Sequence, residues 1–480
     1  LLYENHILKA AETKMNITKL TLIVRVMICV SVSLSFVSTA ASDSNLPVNI
    51  ILGRPTADSI TLNLLASNDI EYYVEYGQTS SSYNIRTDIA TLQKGQPTEL
   101  KLSSLDKNIQ YYFRICSRTA GQLYFSSGDE NTFHTQRPTG SDFVFTVEAD
   151  YHRDKPSNPD QIKATFRNIL NERPDFNIDL GDTFMCDKFA QNYAEVIARY
   201  AEDRKYFGIF GRSVPLYLVM GNHEGEQGWL LNGTENNLAI WAAKARKLYY
   251  PNPFPDSFYS GNTNKEPFVG ICQNYYSWQW GNALFVVLDG YRYTTDNRKK
   301  SGDVWTWTLG ETQYKWFKHA LETSNSKYKF VFIHQVLGEV RGGIEWSDLY
   351  EWGGNNKKGA WEFDQKRPGW DKPIHQLMAA CGVNILFHGH DHFYAKQEQD
   401  GIIYQEVPQP SARNGSQQKA QQQAHEYEYK SGVIFPSPGH LRVGVSDQNV
   451  IVDYIHTSLA ETGQNRNGSI IYSYTIGDSK

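Results

Sequence analysis

The sequence is short of the features that mark several large protein classes. Its five cysteines include no Cys-x-x-Cys pair, a spacing that rules out the usual thiolate zinc sites. Basic residues do not outnumber acidic ones. The formal net charge is −5, the signs are mixed along the chain, and no basic stripe is available to track a nucleic-acid backbone. A nucleic-acid polymer is therefore not an expected partner. Beyond residue 41 there is also no apolar run approaching the roughly 20 residues that a helical membrane span requires.

What is present is a chain of ordinary globular composition. At 480 residues with 40% hydrophobic content, it is long enough for two cored domains. Aromatic residues are abundant, with 30 Tyr and 11 Trp. Trp346, Tyr350, Trp352, Trp361 and Trp370 fall in apparent loops, where they either wall a surface cleft or pack the loops down.

The first 41 residues read as a leader. Met15 opens a stretch carrying Lys19 and Arg25, followed by an apolar run from Val26 to Val37 and the small residues Ser38, Thr39, Ala40 and Ala41. That order predicts a secretory signal peptide starting at Met15, and hence a secreted or periplasmic protein. The alternative, a membrane anchor, needs a longer run than this one. Cys29 lies within the leader, so a mature exported protein retains Cys116, Cys186, Cys272 and Cys381. That number permits disulfides without specifying any. Three sequons, at Asn232, Asn414 and Asn467, matter only in a host that glycosylates.

From 46 to 136 the pattern is of short alternating runs broken by Gly, Ser, Asn and Asp, which predicts an all-β sandwich. The stretch Leu102–Asp106 followed by Gln110–Arg114 is similar to the close of a fibronectin type III-like module. Residues 137–141 read as a linker. From 142 to 480 strand-like apolar runs alternate with helical segments, predicted at Gln161–Glu172, Phe189–Arg199, Gln313–Thr323 and Ile374–Cys381, so an α/β domain follows. In the third of these, Trp316, Phe317, Ala320 and Leu321 form a stripe at helical spacing that should pack on a sheet. Further β-like runs from Ile402 to Tyr454 should complete the domain. The Gln-rich stretch Gln417–Gln423 reads as a solvated loop or short helix with no assignable function.

One device recurs along this second domain: an apolar run stops at metal-binding residue types. Phe143–Val147 leads to Asp150 and His152, and Phe176–Leu180 to Gly181-Asp182. Leu216–Met220 leads to Gly221-Asn222-His223-Glu224, Phe330–Ile333 to His334, and Ile385–Phe387 to His388-Gly389-His390-Asp391-His392. Ligands gather at the carboxyl ends of strands in α/β sheets, so these loops can converge. Residues two apart on an extended segment share a face, which would aim Asp150 with His152 and His390 with His392. Glycine directly before a ligand permits close backbone approach. Any one buried histidine is ordinarily a hydrogen-bonded core residue; it is the repetition that packing does not explain. Oxygen and imidazole donors without thiolate suit Fe, Zn, Mn or Co, and so many donors suit two ions bridged by a carboxylate.

The ordered set Asp-x-His, Gly-Asp, Gly-Asn-His-Glu, lone His and Gly-His-x-His resembles that of the calcineurin-like metallophosphoesterases. The resemblance implies a two-sheet β core flanked by helices, with the metals at one edge. It further implies that Asp150, His152, Asp182 and His392 hold one ion and that Asp182, Asn222, His334 and His390 hold the other, Asp182 bridging. The order of sandwich then hydrolase is similar to that of purple acid phosphatases. Those enzymes supply a metal-binding Tyr after Gly-Asp, whereas this chain reads Thr183-Phe184-Met185, so His152 takes the vacant role and no purple colour is expected.

The activity implied is hydrolysis of a small phosphorylated substrate by a hydroxide held between two metals. His223 is placed to protonate the leaving oxygen or stabilise its charge. Asn222, His223 and Arg341 are the expected substrate contacts, the Arg341 fork suiting a pair of phosphate oxygens. Arg341 in a surface ion pair is the alternative. Glu224, His388 and Asp391 read either as groups that orient imidazoles or as structural hydrogen-bonding groups. A phosphomonoesterase is the leading expectation. A phosphodiesterase with the same centre and, from another class, a surface-binding protein acting through the β-sandwich remain as alternatives. Oligomeric state is not legible.

Overall fold

The computed structural model describes residues 48–297, 302–337, 341–413, 415–460 and 466–477. The leader expected over residues 1–41, and the sequon asparagine at 414, lie outside them. Among the described residues no helix is long and apolar enough to cross a membrane, and Cys116, Cys186, Cys272 and Cys381 are all free.

The alternating segments near the N-terminus fold as a β-sandwich. Val48–Gly53, Ile60–Ala66 and Thr98–Leu102 form one sheet, and a second is built on the long pair Ile70–Gly77 and Gln110–Thr119. Period-two burial along Ile70–Gly77 sends Ile70, Tyr72, Val74 and Tyr76 into the core shared with Leu62, Leu64 and Phe113. Tyr111 anchors the turn before its strand, its hydroxyl accepting from Asp106 N at 2.8 Å; a tyrosine corner of this kind is typical of such sandwiches.

The second domain is two sheets face to face. One runs Leu216–Leu218, Phe176–Asp179, Phe143–Glu148, Gly439–Val445, Asn449–His456 and Ile470–Gly477. The other has eight strands, with Ala283–Val287, Tyr328–Phe332, Ile385–His388 and Ile402–Glu406 parallel at its centre. Between them lies a core dense in aromatics, including Phe145, Phe176, Trp278, Phe285 and Phe387. Helices Pro159–Glu172, Tyr193–Gly211 and Leu238–Tyr249 cover the outside of the first sheet. Glu311–Thr323 and Ile374–Ala380 cover the second, with Phe317 and Leu321 buried as the stripe predicts. The expected fold class, an all-β sandwich followed by an α/β two-sheet domain, is the one observed.

Two details differ from the sequence reading. The helix expected over Phe189–Arg199 starts later, where Asn192 Oδ1 caps Glu195 N at 3.1 Å, and runs on to Gly211. The β structure continues past Tyr454 through Ile470–Gly477. The Gln-rich stretch takes the second of its two expected forms, a helix, Gln417–Glu426, whose Ala420 and Ala424 are buried.

Candidate metal centre

The loops following the apolar runs meet at one edge, but the strands that carry them are divided between the sheets. Phe143–Glu148, Phe176–Asp179 and Leu216–Leu218, mutually parallel, bring Asp150, His152, Asp182, Asn222 and His223 from one side. Tyr328–Phe332 and Ile385–His388, also parallel, bring His334, His390 and His392 from the other. The site therefore sits across the mouth of the two-sheet core.

The local geometry corrects one step of the sequence argument. Asp150 and His152 do not share a face of an extended segment, because both are left-handed, with φ of 58° and 31°; His390 and His392 are likewise at 83° and 67°, and Asp182 is at 58°. Non-glycine residues rarely adopt this conformation, and its clustering marks a site held by its surroundings. Close approach explains the glycines. A Cβ on Gly181 would lie 2.5 Å from Gly221 N, and one on Gly389 2.7 Å from Asp150 Oδ2.

Two groups of donors result, Asp150/His152/His392 and Asp182/His334/His390, the ligand atoms of each lying within 4.8 Å of one another. His392 Nε2 is 3.3 Å from Asp150 Oδ1. His334 Nε2 is 3.2 Å from Asn222 Oδ1 and 3.3 Å from His390 Nδ1. Asp182 Oδ2 stands between the groups, 3.6 Å from His152 Nε2 and 3.3 Å from His334 Nε2. Asp150 Oδ1 and His152 Nε2 are buried yet make no hydrogen bond within the protein. Unpaired buried polar atoms of this kind are uncommon, and an imidazole–carboxylate set with open lone pairs fits a divalent or trivalent ion.

The electrostatics agree. Burial opposes the charge on these carboxylates, but at Asp182 it is outweighed by His334 and then His223, and at Asp150 by His392, so both are held well below the usual carboxylate range. Burial would strip His334 of its proton, yet Asp182 lifts it to about 9. His390 is pushed well below the ordinary histidine value by burial and then by Arg341, leaving a neutral lone pair.

At the mouth, His223 Nε2 is 3.8 Å from Asp182 Oδ2, and its Nδ1 is 2.8 Å from Asp187 Oδ2. Burial would lower the pKa of His223, but Asp182 and then Asp187 raise it above 6.5. Asp187, on the short turn Cys186–Phe189, was not singled out by the sequence; nor was Asp154, whose Oδ2 lies 3.5 Å from His152 Nδ1. Nothing in the sequence separates either from the other acids of the chain. Glu224 does not orient an imidazole. It accepts from Gly221 N, Asp182 N and Thr183 N at 2.5, 3.1 and 2.6 Å and so shapes the Gly181-Asp182 loop. His388 Nδ1 lies 2.8 Å from Glu406 Oε2, beneath the site. Arg341 Nη1 bonds the His390 carbonyl and lies 3.3 Å from Asp391 Oδ1, and the guanidinium stacks 4.7 Å over Tyr427. Among the described residues, its Nε and Nη2 find no acceptor. The loop aromatics mostly serve packing, with Trp346 and Trp352 buried and Trp361 alone largely exposed.

The sequence model of the calcineurin-like phosphoesterases matches residues 143–394. Among solved structures, PhoD aligns with TM-score 0.62 at 13% identity, over 89% of this chain and 90% of its own. Purple acid phosphatase PPD1 from seeds of yellow lupin (Lupinus luteus) aligns with TM-score 0.57 at 16% identity, over 89% of this chain and 74% of its own. At these identities the likeness is one of fold. No curated protein matches the chain in sequence.

Proposed function

From the chain's membership of the calcineurin-like phosphoesterase family, whose enzymes use a binuclear metal centre, we propose that it hydrolyses monoesters of phosphate on small molecules. The observation that carries this reading is the position of Asp182 Oδ2, between the two donor groups and within 3.8 Å of His223 Nε2. Asp150, His152, Asp182 and His392 would hold one ion, and Asp182, Asn222, His334 and His390 the other. Once bound, the pair lowers the pKa of water and offsets charge on the phosphoryl oxygens. The oxygen and nitrogen donors suit Fe, Zn, Mn or Co. With Thr183-Phe184-Met185 after Gly181-Asp182, where purple acid phosphatases supply a tyrosine, His152 completes the first set.

The remaining chemistry falls to the protein. His223, whose pKa is raised because Asp182 and Asp187 outweigh its burial, donates its Nε2 proton to the departing alkoxide. Asp187 keeps Nδ1 occupied, so the proton delivered is the one facing the centre. Asn222 and the Arg341 guanidinium orient phosphate oxygens. The Arg341 cation and the proton-donating His223 beside the site favour a phosphate monoester, which carries nearly two negative charges at neutral pH, over a singly charged diester. The N-terminal residue pattern supports export to a secreted or periplasmic location.

The test is hydrolysis of a phosphomonoester and a matched diester by metal-stripped protein, with Zn, Mn, Fe or Co restored singly. Faster metal-dependent cleavage of the monoester is expected. A preference for the diester would move the assignment to phosphodiesterase, and inactivity on both with every metal would refute it.

A further inference from the structure

We infer that Asp391 is a positioning residue that sets the two halves of the metal centre relative to each other, and that the Gln417–Glu426 helix with Tyr429 is the clamp that holds it. The inference rests on reading His390 and His392 as ligands. Those two residues flank Asp391 but serve different donor groups, His390 with Asp182 and His334, His392 with Asp150 and His152. Whatever fixes the residue between them fixes their separation.

Asp391 is 2% exposed, and its polar groups are held from four directions, none of them a metal donor. Its Oδ2 accepts from Gly342 N at 2.9 Å and from the Tyr429 hydroxyl at 2.7 Å. Its Oδ1 faces Arg341 Nη1. Its amide donates to Glu406 Oε1 at 2.9 Å, and its carbonyl accepts from Gln423 Nε2 at 2.9 Å. The flanking residues are tied as well: His390 N donates to Asp150 Oδ2 at 2.7 Å, and the His392 carbonyl accepts from Ser437 Oγ at 2.8 Å.

Such a lattice is needed because His390 and His392 both sit in left-handed backbone, which persists only where the surroundings over-determine it. The helix supplies the outer wall. Ala420 and Ala424 face inward, and Ala424 packs with Phe393, Ala395 and Tyr429. Tyr427 at its end backs the Arg341 guanidinium. The Gln-rich segment thus reaches the metal centre through Gln423, and the Arg341 guanidinium is braced by the residue at the end of the same helix.

The test compares Asp391→Asn and Tyr429→Phe with wild type by titrating Zn²⁺, then Mn²⁺, into apo protein in a calorimeter, at a temperature where circular dichroism shows each folded. Loss of outer hydrogen-bonding partners typically weakens metal affinity about 10–100-fold. Asp391→Asn is expected in that range, and Tyr429→Phe, which removes one hydroxyl, in the same direction by several-fold. Should Asp391→Asn not fold, Tyr429→Phe decides alone. Wild-type affinity for both ions in folded Tyr429→Phe and Asp391→Asn overturns the inference while leaving the hydrolase reading intact. A wild-type protein that takes up no metal overturns the ligand assignment, and this inference with it.

Discussion

Asp182 shares one oxygen with His152, His334 and His223, so at the scale of single residues metal, proton and leaving group all compete for the same negative charge. The competition has a sign. His334 holds its proton up to about 9 because Asp182 outweighs its burial, and an imidazole must lose that proton to ligate. Apparent metal affinity of the apo protein should therefore rise with pH, levelling above about 9, and binding at pH 7 should release protons. Calorimetry in buffers of different ionisation enthalpy reads both; an affinity flat from pH 6 to 9 would contradict it. The second prediction concerns His223, which lies beside the donors without joining either group. His223→Ala should lower turnover roughly 10²- to 10⁴-fold, the range for a lost general acid, with metal content unchanged. Asp187 helps keep His223 protonated, so Asp187→Asn should lower that pKa and shift the alkaline limb of the kcat profile to lower pH. The candidate donor positions, and their convergence, were legible in the sequence because each ends an apolar run in a characteristic short motif. Asp187, Asp154 and Glu406 were not. A carboxylate's role there depends on a distance across the fold, and neither neighbours nor spacing encode it.

At the scale of elements, sequence patterning succeeded where one face is buried and failed where a distant segment decides. The helix Tyr193–Gly211 shows both. Its start is local, an Asn192 cap, but its second half contains Gly208 and Gly211, which ordinarily count against a helix. They persist because the sandwich strand Val48–Gly53 lies against them. A Cβ on Gly208 would meet Asn49 Nδ2 at 2.3 Å, and one on Gly211 would meet Ile51 Cδ1 at 2.9 Å. Between them and the helix start, Arg204 is 1% exposed, and among the described residues it pairs with no carboxylate. Its donors go to the Asn49 and Asn63 side chains and carbonyls and to the Tyr249 carbonyl. Burial lowers its pKa to about 10, which leaves it charged at neutral pH. Arg204→Ala strands several buried oxygens at once, and each unpaired group costs about 1–3 kcal/mol. A loss on the order of 3 kcal/mol or more is expected in denaturant unfolding of the apo protein. A change under about 0.5 kcal/mol, the scale of an ordinary surface substitution, would show that the contact does not hold the sandwich in place.

The same contacts bear on the molecule as a whole. The sequence predicts two domains, and the sandwich does have its own core, but Ile51 belongs to the core beneath the helices of the catalytic half. Asn63 Nδ2 donates to the Leu248 carbonyl at 3.0 Å, and the Tyr259 hydroxyl donates to the Pro55 carbonyl at 2.6 Å. Residues 137–141, read as a linker, are likewise tied down: Arg137 pairs with Asp175 at 3.1 Å and Gly140 N donates to Asn282 Oδ1 at 2.8 Å. A sandwich serving only as a detachable binding module would need none of this, since loosely joined domains share few contacts. Here it completes the hydrophobic cover over the helix that backs the Asp150 and Asp182 loops. Removing residues 48–135 should expose Gly208, Gly211 and the Arg204 guanidinium together, so the truncated chain should aggregate or unfold at a much lower temperature. The intact protein should melt in one transition, with calorimetric and van't Hoff enthalpies equal. Two separated transitions, the first leaving metal-dependent activity in place, would show instead that the catalytic half stands without its sandwich.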